Sequence, residues 1–307
     1  MTLTIKGLDL SKVKTRAQET RLTERGRVLI IDGDGPAYRA AATVKRLDTA
    51  VRHFQSAILT EMEMARCGSA TVHLTHRTSH KNGRHHVIAA KPYQGQRKGK
   101  SKPPLLEPLR EAMMDKANWL PEFEVRMHYD IEADDAMIIQ AHQLKDGGVI
   151  WSDDKDLRCT PYYYYEQSTG QVQGFEPHGY IEAKFTDAGN LKVIGRGPIF
   201  FWAQLLMGDS ADNIKGIERY NGKLCGPASA IEVLGKVRDR HQAANLVIDA
   251  YRAIDQNILA EGYLLHLLQS PNDHVYDYML SYDLSNANRQ FVQSCMERHW
   301  MEVPHES

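Results

Sequence analysis

The sequence predicts an α/β fold: a parallel twisted sheet flanked by helices, followed by a mainly helical last third. Short apolar runs alternate with helical periodicity between residues 27 and 152, acidic residues collect just after those runs, and 307 residues suffice to bury a sizeable core.

The first run, residues 27–31 (RVLII), ends in Asp-Gly-Asp-Gly and reads as a buried parallel strand closed by a sharp turn. Runs at 70–74, 123–128 and 148–152 predict three further strands, with helical patterns at about 36–47, 48–66, 105–117 and 133–145. Such alternation implies a parallel sheet covered on both faces, whose ligands gather beyond the carboxyl ends of the strands. Asp32, Asp154 and Asp156 fall at such ends, while Asp34 reads as the N-cap of the next helix. Helical periodicity resumes after residue 198, and a boundary is expected near residue 195, in the stretch Gly189 to Gly197. The expected organisation is an N-terminal extension over 1–26, an α/β unit over 27–195 that includes a basic segment at 77–104, and a helical region over 196–307.

Hydrophobic residues at 42 % and charged residues at 25 % exclude a disordered or collagen-like chain. No run approaches the roughly 18 apolar residues of a membrane span, and the N-terminus has no apolar signal segment, so a cytoplasmic location is expected. Cys67, Cys159, Cys225 and Cys295 lie far apart without a C-x-x-C, and read as reduced structural residues. The net charge of −1 hides a segregation. Residues 64 to 106 contain no Asp or Glu but hold nine Lys and Arg, among them Lys81, Arg84, Lys91, Arg97 and Lys98. Residues 130 to 156 hold eight acids against Lys145 and Lys155.

Glu132, Asp134 and Asp135 open the helix that starts near residue 133, where a single carboxylate would suffice as a cap. Three within four residues repel one another, and strand ends add Asp32, Asp154 and Asp156. A bound divalent cation is the simplest offset, and an all-oxygen donor set favours Mg²⁺ or Mn²⁺ over zinc. Asp209 and Asp212, three apart, are expected on one face of a helical turn. So many carboxylates exceed the needs of one ion, which suggests two metals roughly 3.5–4 Å apart and phosphodiester chemistry.

Four boxes resemble the 5′-nuclease or flap endonuclease superfamily, particularly its phage and bacterial 5′→3′ exonuclease branch. They are Leu29-Ile30-Ile31-Asp32-Gly33, Glu132-Ala133-Asp134-Asp135, Ser152 to Leu157, and Gly208 to Ile217, in family order. The resemblance implies a PIN-like fold with a helical arch and a C-terminal helix-hairpin-helix region. It assigns Asp32, Glu132 and Asp134 to a first metal site with Asp135 close by and Asp154 shared, and Asp156, Asp209 and Asp212 to a second. The implied cofactors are two Mg²⁺ ions, with Mn²⁺ as a substitute, and K⁺ at the hairpin.

Lys215-Gly216-Ile217 and, further on, Gly226 resemble the hairpin that grips duplex DNA, through glycines and amide groups that approach a phosphate. Tyr93-Gln94-Gly95-Gln96-Arg97-Lys98 resembles the box at the base of the arch, where Tyr93 would stack on a base and Arg97 and Lys98 would steady the scissile phosphate. Two departures stand out. Gln94 replaces a common lysine, so that role should pass to Arg97, Lys98 or Lys91. After the second strand run, Leu74-Thr75-His76-Arg77 lacks the usual Asp. The implied protein is a monomeric, free-standing, Mg²⁺-dependent 5′–3′ exodeoxyribonuclease or flap endonuclease of DNA replication or repair, resident in the host cytoplasm if phage-encoded. Its partner would be DNA with a 5′ flap or free 5′ end. The rivals are a ribonuclease H-like enzyme acting on RNA–DNA primers and a junction-binding protein with weak catalysis.

Overall fold

A computed structural model describes residues 4–5, 8–9, 24–97 and 101–302. The main sheet is built around β1 (Glu24–Asp32), which pairs in parallel with β2 (Cys67–Thr75) on one side and β4 (Gly148–Trp151) on the other. β3 (Phe123–His128) lies outside β2, and β5 (Tyr164–Glu166) with its antiparallel partner β6 (Gln171–Gln173) lies outside β4. The strand order is therefore β3-β2-β1-β4-β5-β6, and chain direction through the sheet reverses at β1. A crevice opens at such a switch point, above the carboxyl ends of the central strands.

Both faces of β1 are covered. Leu29 and Ile31 pack with Ala37 of α1 (Asp34–Thr43), Phe54 and Ile58 of α2 (Leu47–Ala65) and Leu109 of α3 (Leu106–Ala112). Ile30 points the other way, to Met137, Ile138 and Ala141 of α4 (Ala133–Leu144). This period-two alternation with both faces apolar is why the run RVLII cannot sit at a surface; truncating Ile30 to Ala should cost about 2–5 kcal/mol. At the strand's end, Gly33 is required for close approach, since a Cβ there would stand 2.6 Å from Val72 Cγ1 and 2.8 Å from the His73 carbonyl.

The sequence predicts a helix to residue 117, but α3 stops at Ala112 and a 3-10 turn at Lys116–Asn118 follows. Over the segment expected as an arch, the described residues form two 3-10 turns, Lys81–His86 and Gly95–Arg97, in place of long helices. The stretch Gly189 to Gly197 lies mostly in an antiparallel hairpin, β7 (Tyr180–Phe185) with β8 (Leu191–Arg196), whose Ile181 packs into the helical core. That core surrounds α5 (Gly197–Met207), buried at every position but its last, with α6 (Pro227–Leu234), α7 (Arg240–Ala253), α8 (Ile258–Leu265), α9 (Val275–Leu280) and α10 (Asn286–Met296) about it. All four cysteines are buried, and none forms a disulfide. No described helix is long and apolar enough to cross a membrane.

Candidate active site

The crevice beyond β1 is a cleft of about 390 Å³, lined among others by Asp32, Asp34, Thr75, Lys81, Gln94, Arg110, Glu132, Asp134, Asp154 and Asp212. Asp32, the last residue of β1, accepts hydrogen bonds from Ser152 Oγ (2.8 Å) and the Asp34 N–H (3.0 Å). Asp134 stands in the first turn of α4, and Asp154 follows β4, where its Oδ1 accepts from the Asp156 N–H at 2.9 Å. Burial, then the neighbouring Asp34, pushes Asp32 up to about 7. Burial, then Asp32 and Asp154, holds Asp134 well above the usual carboxylate range. These side chains crowd negative charge into a site that supplies too little positive charge of its own.

The remaining carboxylates are differently placed. Glu132, N-cap of α4, accepts from Lys81 Nζ (2.9 Å), Arg84 (3.0 Å) and the Tyr93 hydroxyl (2.7 Å). Burial opposes its ionisation, but Arg84 and Lys81 outweigh burial and lower its pKa. Asp135 is fully buried, held in a fork by Arg84 at 2.7 and 2.8 Å and by the Leu268 N–H at 3.1 Å. Asp209 and Asp156 share one ammonium: Lys155 Nζ lies 2.7 Å from Asp209 Oδ2 and 3.2 Å from Asp156 Oδ1. Gln204 Nε2 also donates to Asp156 at 2.6 Å. Burial, then Asp154, pushes Asp156 up to about 8, whereas Lys155 overcomes burial to lower Asp209.

No family model matches the chain, nor does any curated protein. Solved structures do. The D15 protein of phage T5, co-crystallised with metal ions, is 16% identical with a TM-score of 0.50, over 88% of this chain and 98% of that one. A bacteriophage T5 D15 flap endonuclease pseudo-enzyme–product complex with DNA and metal ions is 17% identical with a TM-score of 0.49, at the same coverage. The fold is that of a 5′-nuclease. At this identity the likeness speaks for the architecture alone, so what the 5′-nuclease fold does in this chain rests on its own residues.

Those residues test the donor chemistry. Asp32, Asp134 and Asp154 offer only hard oxygen donors and excess negative charge, which fits a divalent cation. Among the described residues no three His, Cys, Asp or Glu side chains stand close enough, as placed, to hold a metal ion. The second group expected from the sequence is divided. Residues 209–214 form a tight antiparallel bridge, Asp209 to Ile214, instead of a helical turn, so Asp209 reaches Lys155. Asp212 instead accepts from Gln94 Nε2 (3.2 Å) and the Tyr93 hydroxyl (3.4 Å). Asp135 is removed from the cleft by the Arg84 fork.

Three expected DNA contacts are also revised. Tyr93 is buried, its ring tilted against His85 at 5.4 Å and its hydroxyl on Glu132, so it offers no face to a base. Gly216 is buried and its N–H donates to Glu261 Oε2 at 3.0 Å, while the Ile217 N–H goes to the Leu205 carbonyl; these amides are spent inside the protein. Gly216 is needed there for packing, since a Cβ would meet Gly208 N at 2.5 Å. Lys215 is partly exposed, and Gly226 is the N-cap of α6, ahead of an exposed first turn. Lys91 is exposed and lies off the cleft; Lys98 and the Arg97 side chain fall outside the described residues.

Sequence reasoning missed three cleft residues. Asp34 is the first helical residue rather than the cap, which is Gly33, and its carboxylate accepts from the Thr75 N–H (3.3 Å) and Arg110 (2.8 Å). It thereby brings a carboxylate to the end of β2, where the chain has no Asp; the spacing Asp32-Gly33-Asp34 was the available signal. Arg110 on α3 and Lys81 are the others. Asp153, outside the metal reading, forms an ion pair with Arg39 that ties α1 to the loop after β4.

Proposed function

We propose that the chain is a divalent-metal-dependent 5′-nuclease that hydrolyses DNA phosphodiester bonds, with a 5′ flap or free 5′ end as substrate. The observation that carries this reading is the excess of carboxylate in the cleft. Asp32 is driven toward protonation by burial and Asp34, and Asp134 by burial, Asp32 and Asp154, in a cleft that Lys81, Arg77 and Arg110 also line. Such a site favours a divalent cation with a phosphate held between it and the cleft's basic side chains. Asp32, Asp134 and Asp154, with Glu132 behind them, would hold the first ion; Asp156, Asp209 and Asp212 are proposed for a second. When bound, the ions supply an activated water and charge stabilisation at the reacting phosphate.

This chain's own residues do the rest. Ser152 fixes the Asp32 carboxylate, Thr75 Oγ1 accepts from the Ala133 N–H at 2.9 Å and so sets the start of α4, and the Arg84 fork holds that turn from behind. The exposed start of α6 with Lys215, and Arg97 and Lys98 before α3, are proposed to hold the DNA backbone without reading sequence. The reading includes Mg²⁺ as the working ion, Mn²⁺ as a substitute, K⁺ at the Gly216 turn, a monomer, and a role in phage replication or repair. It is tested by incubating a 5′-flap duplex and an RNA–DNA hybrid with Mg²⁺, Mn²⁺ or EDTA and reading product lengths. Metal-dependent release of the flap supports it; preference for the hybrid moves the substrate to primers, and binding without cutting in every metal overturns it.

A further inference from the structure

Lys81 and Gln94 both line the acidic cleft and meet there. Lys81 Nζ donates to Gln94 Oε1 at 2.7 Å and to Glu132 Oε1 at 2.9 Å, and it stands 5.9 Å from the centre of the Tyr93 ring. Both residues have left-handed backbones, φ 50° at each, which non-glycine residues adopt only where the surroundings impose it. The imposing contacts are present. Lys81 begins a left-handed run with Asn82 (φ 53°) and Gly83 (φ 70°). That run is tied down by the Asn82 N–H on the Asp130 carbonyl (2.7 Å) and the Tyr263 hydroxyl on the Asn82 carbonyl (2.7 Å). The Gln94 N–H is held by the Asp212 carbonyl at 2.9 Å.

The Gln94 amide has one orientation available. Its oxygen takes the ammonium, and its nitrogen donates to Asp212 (3.2 Å) and Tyr93 (3.1 Å). An ammonium has three protons to donate, and two of those of Lys81 go to these fixed acceptors. Among the described residues, the other cations in or near the cleft are paired elsewhere or more exposed than Lys81. Arg84 is sealed in its fork with Asp135, Lys155 bridges Asp156 and Asp209, Arg110 lies on Asp34, and Arg77 and Lys102 are exposed at the rim.

We propose that Lys81 is the residue that delivers positive charge to the scissile phosphate, and that Gln94 is a positioning residue that holds its ammonium in the cleft. The proposal rests on the nuclease reading and deepens it. It makes Gln94 a partner of a relocated cation, and the two positions should then be interchangeable as lysine carriers but intolerant of two lysines at once.

The experiment is single-turnover cleavage of a 5′-flap duplex in Mg²⁺, with duplex affinity measured separately in Ca²⁺. Lys81→Met should slow cleavage about a hundredfold, the usual loss of one donor to a developing charge, with affinity near wild type. Gln94→Lys alone should leave the rate level or lower it, because two ammonium groups would crowd one site. The double variant should cut at least tenfold faster than Lys81→Met, a sign reversal that a merely structural role cannot produce. Lys81→Arg, which keeps the charge, guards against a folding defect in the methionine variant. A wild-type rate in Lys81→Met, or a double variant as slow as Lys81→Met, overturns the proposal. A wild-type protein that cuts nothing overturns the nuclease reading instead.

Discussion

Two sets of buried carboxylates differ in what faces them. Glu132 and Asp135 meet Arg84, and Asp156 and Asp209 meet Lys155; these are closed by cations of the chain itself. Asp32 and Asp134 have hydrogen-bond donors or carboxylates for neighbours and face an open cleft. Buried charge is tolerated when paired and is otherwise neutralised or supplied with an ion from outside. The Arg84 pairs therefore read as scaffold and the open group as the proposed place for a first external cation, while Asp156 and Asp209, held by the half-exposed Lys155, are the proposed place for a second; residues of these kinds stand side by side in the same short sequence boxes.

The strongest way to break this contrast is at its open side. Asp154→Asn should reduce cleavage to background while leaving duplex binding unchanged or tighter, because one proposed ligand and one negative charge are lost; full cleavage at ordinary Mg²⁺ would remove Asp154 from the site. On the closed side the effect should fall on stability. Arg84→Met leaves Asp135 and Glu132 buried without their principal cation, and the loss should be about 3–5 kcal/mol in urea unfolding. A loss below about 1 kcal/mol would show that the fork is not structural.

Lys155→Met turns a closed pair into an open one. Because the lysine side chain is 44% exposed, the expected loss without metal is smaller, about 1–2 kcal/mol. Added Mg²⁺ should restore more stability to this variant than to wild type, and equal gains by thermal melting would argue that Asp156 and Asp209 take no ion.

The mildest effect is on pH. Burial and Asp34 raise the Asp32 carboxyl to about 7 in the folded chain, against 3.8 when unfolded. Between those values the native state binds the extra proton, so this contribution is complete below 3.8 and is lost as pH rises through 7. Asp156, raised to about 8, acts in the same direction. In EDTA the melting temperature should fall from pH 5 to pH 8, and Mg²⁺ should flatten the slope; a rise in EDTA would refute the repulsion.

Much of the fold was legible because it depends on local pattern. RVLII could only be a doubly covered strand, and the helices over α1, α2 and α4 followed from their 3.6-residue period and from acids at the start of α4. Less legible were two glycine-flanked stretches, one expected to hold a boundary and one a helical turn. Gly189 to Gly197 mostly completes a hairpin whose apolar face needs the helical core, and the turn after α5 closes as a bridge because Gly208 and Gly216 (φ 73° and 70°) let two backbones touch.

For the site, the sequence by itself determined which carboxylates lie near strand ends, since position along a strand or helix is a local property. Only the tertiary structure decided their partners. Asp134 and Asp135 are adjacent in sequence, yet one turns into the cleft and the other onto Arg84, fifty-one residues away in the chain. Lys81 reaches Gln94 across thirteen residues and Glu132 across fifty-one. Charge is written in the residue, but burial and pairing arise only when distant segments pack, and in a low-dielectric interior these two decide whether a carboxylate supports the fold or calls for an ion.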